Sequence, residues 1–142
     1  MTTIKQLSIF LENKQGSLYE VMETLSKAKI NIIAATVADT SEYGILRIIT
    51  SNTSKALEVL SGANKNANIS EVVAISCHTE AGAFYENLKK FSEEGVAIEY
   101  MYCFTAKEKA ILVMRVDDND KALSVVEKHN LDIIQNSDLE TL

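Results

Sequence analysis

The sequence predicts an α+β chain built from two tandem β-α-β-β-α-β copies, each an antiparallel sheet with both helices on one face. Three observations support this: an internal repeat, the same succession of strand and helix periods in both copies, and a glycine at the same strand-to-helix junction. Superposing Gly16 on Gly82, an offset of 82 − 16 = 66 residues, keeps register without a gap. Ile9 then falls on Ile75, Tyr19 on Tyr85, Glu20 on Glu86, Ile32 on Ile98, Ile45 on Ile111 and Leu46 on Leu112. Lys55-Ala56-Leu57 falls on Lys121-Ala122-Leu123, and Asn64 on Asn130. A repeat of this length marks a duplicated structural unit. The copies are expected at 1–70 and 71–142.

In the first copy, Leu7, Ile9 and Leu11 alternate with other residues over 5–11, the period of a half-buried strand. Over 17–28, Leu18, Val21, Met22, Leu25 and Ala28 share one helical face. Residues 30–38 and 43–50 are apolar strand candidates, joined through the polar turn Asp39-Thr40-Ser41-Glu42. Thr53 or Ser54 is the expected cap of a helix over 55–61, amphipathic through Ala56, Leu57 and Leu60. A weak fourth strand is expected within 65–70. Ser70 and Glu71 are the expected linker.

The second copy follows the same order. Residues 72–77 form a strand, and 83–93 a helix packing Phe84, Leu88 and Phe91. Gly95 is a natural stop for that helix. Strands follow at 97–104 and 110–116 around Thr105-Ala106-Lys107-Glu108-Lys109. Asn119 or Asp120 is the expected cap of a helix over 121–129, and 131–135 the last strand. An antiparallel sheet with helices on one face in this order is the ferredoxin-like arrangement.

Composition narrows the function classes. The apolar fraction, 46%, and the charged fraction, 24%, are ordinary for a globular chain. No apolar run approaches the roughly 20 residues that span a bilayer, and the N-terminal residues lack the pattern of a secretory signal. Two cysteines make no disulfide framework. A cytoplasmic protein, with no membrane partner, is expected. The formal net charge of −6 and only two arginines, Arg47 and Arg115, argue against nucleic acid. The strand candidates 45–49 and 111–115 also lack the aromatic residues that stack on RNA bases.

Catalytic and metal chemistry find little support. Cys77, His78 and Cys103 are ligand types for zinc. The repeat places Cys77 on Leu11 and Cys103 on Val37, where cysteine reads as a small hydrophobe. His129 falls in the last turn of a helix, where a positive or polar group suits the dipole. The serines have no adjacent His and acid, and no Gly-x-Ser-x-Gly elbow occurs. Glu93-Glu94 and Asp117-Asp118 read as solvated charge at element ends. No enzyme activity, metal or cofactor is expected.

The stretch Asn13-Lys14-Gln15-Gly16-Ser17-Leu18 remains, echoed by Thr79-Glu80-Ala81-Gly82-Ala83-Phe84. A glycine there can take a positive φ and admit a close approach. The helix start offers backbone N–H groups to a carboxylate. Asn13 adds a side chain with both donor and acceptor. The set suits a zwitterion.

On these residues, together with Lys29-Ile30-Asn31-Ile32, the chain resembles the ACT domain family of β-α-β-β-α-β regulatory modules that bind amino acids. The resemblance covers nearly the whole chain as a tandem pair. The family's turn has Asp, Pro and Gly before a small residue and a Leu. Here Asn13 stands for the Asp and Gln15 for the Pro, while Gly16 and Leu18 match. The second copy departs further, with Thr79, Ala81 and Phe84 at the acid, proline and leucine positions. The family's arrangement sets ligand between one domain's glycine turn and the second strand of its neighbour. It therefore implies a site of Asn13, Gly16, Ser17 and Leu18 facing Tyr100, Tyr102 and Cys103. A possible second site comprises Thr79, Gly82, Ala83 and Phe84 with Thr36. The resemblance implies an amino-acid sensor, a homodimer, and a separate regulated protein as partner. The alternative is a ligand-independent structural or protein-interaction module whose sheet edges mediate assembly.

Overall fold

The computed structural model describes residues 2–39 and 42–142. Thr40 and Ser41 of the expected first turn lie outside the described residues. The elements run β1 (Ile4–Glu12), α1 (Ser17–Lys27), β2 (Ile32–Asp39), β3 (Tyr43–Thr50), α2 (Thr53–Gly62) and β4 (Ala67–Cys77). They continue α3 (Ala83–Glu93), β5 (Ile98–Ala106), β6 (Lys109–Val116), α4 (Asn119–Lys128), β7 (Asp132–Ile133) and α5 (Asn136–Leu139). The chain divides into two compact units. One is Lys5–Ser70, and the other is Glu71–Leu142 with the N-terminal residues through Ile4.

In the first unit β3 pairs antiparallel with both β1 and β2, with Ile9 opposite Leu46 and Val37 also opposite Leu46. The Phe10 N–H donates to the Asn66 carbonyl at 2.9 Å, setting the chain that enters β4 beside β1. The alternation in β1 sends Leu7, Ile9 and Leu11 into a core with Leu46 and Ile48 of β3, Val21 and Leu25 of α1, and Ala56 and Leu60 of α2. Both helices thus cover one face. On the other face the rings of Phe10 and Tyr43 lie 5.2 Å apart.

The second unit repeats the plan, with β4 flanked by β7 and β6, and β5 outside β6. Its core joins Val73, Ile75, Leu112 and Met114 from the strands to Phe91 of α3 and Ala122, Val125 and Val126 of α4.

Helix ends also follow the repeat. The N–H groups of Ile30, Lys65, Val96 and Leu131 reach back five residues to the carbonyls of Leu25, Leu60, Phe91 and Val126. Each closure requires a left-handed residue just before it, and Lys29, Asn64, Gly95 and Asn130 supply it with φ of 57°, 59°, 77° and 51°. Gly95 is the stop its sequence indicates.

Four local expectations are corrected. Asn52, not Thr53 or Ser54, caps α2, its side chain accepting from the Lys55 N–H at 3.1 Å. Asp118, not Asn119 or Asp120, caps α4 by the same bond to Lys121. No linker interrupts residues 67–77, which form a single strand in which Ser70 and Glu71 continue the extended backbone. The last strand shortens to Asp132–Ile133, because a helical turn follows, in which Gln135 and Asp138 cap each other's backbone.

Candidate functional site

The two turn glycines share one backbone conformation. Gly16 has φ 90° and ψ −6°, and Gly82 has φ 89° and ψ −9°. A Cβ at either position would meet no atom within 4 Å, so backbone conformation, and not lack of room, calls for glycine. Each glycine carbonyl accepts the first α-helical bond, from Glu20 N–H at 2.9 Å and from Glu86 N–H at 3.0 Å. Neither α1 nor α3 has a side-chain cap, whereas α2 and α4 do. Cap-free starts are where a helix presents N–H groups and partial positive charge to an anion.

The surroundings of the turns differ. At the first, Ser17 is buried and its hydroxyl donates to the Glu12 carbonyl at 2.8 Å, tying the helix start to the end of β1. Lys14 Nζ lies 3.2 Å from Glu12 Oε2, and Lys65 Nζ lies 2.6 Å from Glu20 Oε2. The Lys65 ammonium, by hydrogen bond and by charge, with a smaller contribution from Lys14, holds the Glu20 carboxyl below its usual range. A cleft of about 240 Å³ remains, lined by Lys14, Ser17, Glu20, Asn64 and Lys65 among others. At the second turn Ala83 replaces the serine, and Asn87 Nδ2 donates to the Ala83 carbonyl at 2.8 Å. The cleft there measures about 520 Å³.

The residues singled out in the sequence distribute as follows. Asn13, Gly16 and Leu18 are exposed beside the buried Ser17, and Leu18 is 40% exposed. Thr79 and Gly82 are exposed, while Ala83 and Phe84 are half-buried. Tyr100 and Tyr102 lie in β5, in the other unit from Asn13, and alternate with the exposed Cys103. Cys103 stands opposite Leu112, on the helix-covered face, and Tyr102 opposite Val113, on the other. The tyrosines and the cysteine therefore occupy opposite faces of one strand. Thr36, the repeat counterpart of Tyr102, is half-buried opposite Arg47.

Cys77 is buried, and that burial, with the nearby Cys103 adding to it, pushes its thiol pKa up and leaves it protonated. Cys103 is exposed, so the reading of it as a packed hydrophobe is corrected: its position at the strand edge leaves even Val37, its counterpart, 49% exposed. Among the described residues no cluster of three His, Cys, Asp or Glu side chains is placed to hold a metal, and no helix is long and apolar enough to cross a membrane. The ion pair at the first turn was missed in the sequence. Its partners are 45 residues apart, and only their shared cleft relates them.

The whole chain, residues 1–142, matches a family model described as an ACT domain pair. No curated protein matches. Among solved structures, a protein of Bacteroides thetaiotaomicron is 43% identical with a TM-score of 0.94, over 99% of this chain and 98% of that one. The regulatory subunit of aspartate kinase from Thermus thermophilus is 16% identical, with a TM-score of 0.62 over 89% of this chain and 93% of that one. The corresponding subunit from Thermus flavus is 14% identical, with a TM-score of 0.63 over 90% and 93%. These two distant likenesses concern the fold, which is the tandem ferredoxin-like arrangement described above. The chain belongs to the ACT domain pair family, whose domains are regulatory rather than catalytic.

Proposed function

We propose that this chain senses a small amino acid at its strand–helix glycine turns and passes that information, as a cytoplasmic homodimer, to a separate regulated protein. One observation carries the reading: both turns hold a left-handed glycine at the start of a helix without a side-chain cap, in a chain that caps its other two long helices with Asn52 and Asp118. Asn13, Gly16, Ser17 and Leu18 would hold the ligand's carboxylate and ammonium. Tyr100 and Tyr102, with Cys103 on the reverse face of β5, would belong to the neighbouring domain. Thr79, Gly82, Ala83 and Phe84 with Thr36 would form the reciprocal site. The distant Thermus relatives, named as regulatory subunits of a kinase, are consistent with regulation of a separate catalytic chain.

The test is a thermal melt with each of the twenty amino acids at millimolar concentration. At least one should raise the Tm, because a ligand bound only by the native state at a hundred times its Kd adds about 2.7 kcal/mol. Gly16→Asp should abolish the shift by placing a carboxylate in the anion position, and its ligand-free melt checks that it still folds. No shift with any amino acid would defeat the reading.

A second reading, a ligand-independent assembly module, draws on β2 and β5. Among the described residues each pairs along one side, with β3 and β6 respectively, and they carry Ile32, Val37 and Met101 at 36%, 49% and 37% exposure. Edges of this kind invite strand pairing between chains. Light scattering that shows the same oligomer with and without amino acids would favour it.

A further inference from the structure

Helices α1 and α3 carry the same exposed stripe with opposite charges beside it. Tyr19, Met22 and Ser26 lie on one side of α1, and the repeat puts Tyr85, Leu88 and Ser92 at the same places on α3. Spacings of three and four residues align each trio along its helix. Tyr19 and Tyr85 are 69% and 64% exposed, and both serines are exposed as well. Neither tyrosine belongs to a core, so packing within the units does not require the identity. A shallow hollow of about 320 Å³ follows the stripe of α3, lined by Tyr85, Leu88, Lys89, Ser92 and Glu93.

The charges run in opposite order. On α1 Glu23 precedes Lys27, with the ammonium 3.5 Å from the carboxylate, and on α3 Lys89 precedes Glu93 at 3.9 Å. Glu23 and Lys89 occupy one repeat position, and Lys27 and Glu93 another. Within an isolated helix the glutamate-first order is the more favourable, so helix stability gives no reason for the reversal in α3. Two surfaces of one shape and opposite charge complement each other, and each repels its own kind.

We propose that α1 of one chain packs against α3 of a second copy, the two helices antiparallel and crossing at Met22 and Leu88. In that crossing each tyrosine lies over the small serine of the facing helix, Tyr19 over Ser92 and Tyr85 over Ser26. Like flanks of antiparallel helices meet, so Glu23 faces Lys89 of the second copy. A two-fold dimer makes this contact twice, once from each chain. Pairing α1 with α1, or α3 with α3, would instead set Glu23 against Glu23 or Lys89 against Lys89. The contact specifies which units meet in the homodimer proposed above, and it does not depend on amino-acid binding.

Sedimentation equilibrium of the intact chain at low salt, without amino acids, tests this. Glu23→Lys alone and Lys89→Glu alone should each weaken the dimer about tenfold or more, since each puts like charges together at both contacts. An equimolar mixture of these two variants should recover the affinity of the intact chain, because only the mixed dimer sets opposite charges together at both contacts. Tyr19→Ala should also weaken the dimer about tenfold or more, as loss of a buried aromatic anchor does, with its melt checking the fold. An unchanged dimer in any of the three variants, or weakened dimers that mixing fails to restore, would overturn the α1–α3 contact while leaving a homodimer through another surface. A chain that stays monomeric would overturn the contact and the homodimer together, and leave amino-acid sensing to the thermal melts.

Discussion

Gly16 and Gly82 hold φ angles of 90° and 89° at equivalent points of the two copies, yet the cleft beside the first measures about 240 Å³ and that beside the second about 520 Å³. Duplication preserved the backbone. The bounds of the four long helices, the left-handed helix ends and the capping positions 52 and 118 all recur at the same offset. Side chains around the turns diverged. Where the first copy has Glu12, Lys14 and Lys65, the second has His78, Glu80 and Leu131. The backbone conserves the turn, and three substitutions beside it, one of which packs Leu131 against the core, decide whether the space there is bridged or open.

The largest effects should come from the two cores. Phe91 and Leu25 occupy the same repeat position, on α3 and α1, and both are almost fully buried. Phe91→Ala should cost about 3–5 kcal/mol and Leu25→Ala about 2–5 kcal/mol, by lost transfer energy and the cavity left behind. Chemical denaturation followed by circular dichroism measures both. Equal costs would mean that the smaller residue leaves the less collapsible cavity.

Next in size are the glycines. Gly16→Ala and Gly82→Ala should each cost about 1–2 kcal/mol, the price of a left-handed conformation for a residue with a Cβ. The two should agree, because neither Cβ would touch a neighbouring atom. A clear difference in their melting would show that the surroundings of the turns, and not only their φ angles, govern local stability.

The smallest effect concerns the Glu20–Lys65 bridge. Because Lys65 lowers the Glu20 pKa in the folded state, the stability it lends is complete above the ordinary carboxylate pKa and is lost as pH falls through the folded value. Glu20→Gln and Lys65→Leu should both flatten the acid limb of the Tm–pH curve relative to the intact chain. Lys65→Leu also gives the first copy the residue found at Leu131. The pair is partly exposed, so the change is small and shrinks further at high salt.

The alternating Leu7, Ile9 and Leu11, the helical spacing of Val21 and Leu25, and the turn glycines were legible because each depends on residues close in the chain. The caps were misplaced by one or two positions because several polar residues compete there. Asn52 and Asp118 win since their side chains reach the N–H three residues on. The repeat alignment pairs those two positions and would have singled them out. The continuous strand Ala67–Cys77 was harder to read, because Ser70 and Glu71 look like a linker by composition while both continue the strand. The expected site residues were only partly gathered. Ser17 and Gly16 do sit together, whereas Cys103 and the tyrosines are parted by strand alternation.

The sequence by itself determined the duplication, the order of elements as far as the last strand, the side of each sheet that faces its helices, and the two glycine turns, because hydrophobic period and backbone preference are local properties. The tertiary structure alone decided which charges meet. Lys65 finds Glu20 across 45 residues because folding brings the turn after α2 to the start of α1, and Leu131 leaves Glu86 without that partner for the same geometric reason. Ion pairing depends on distance in space, which no local pattern encodes.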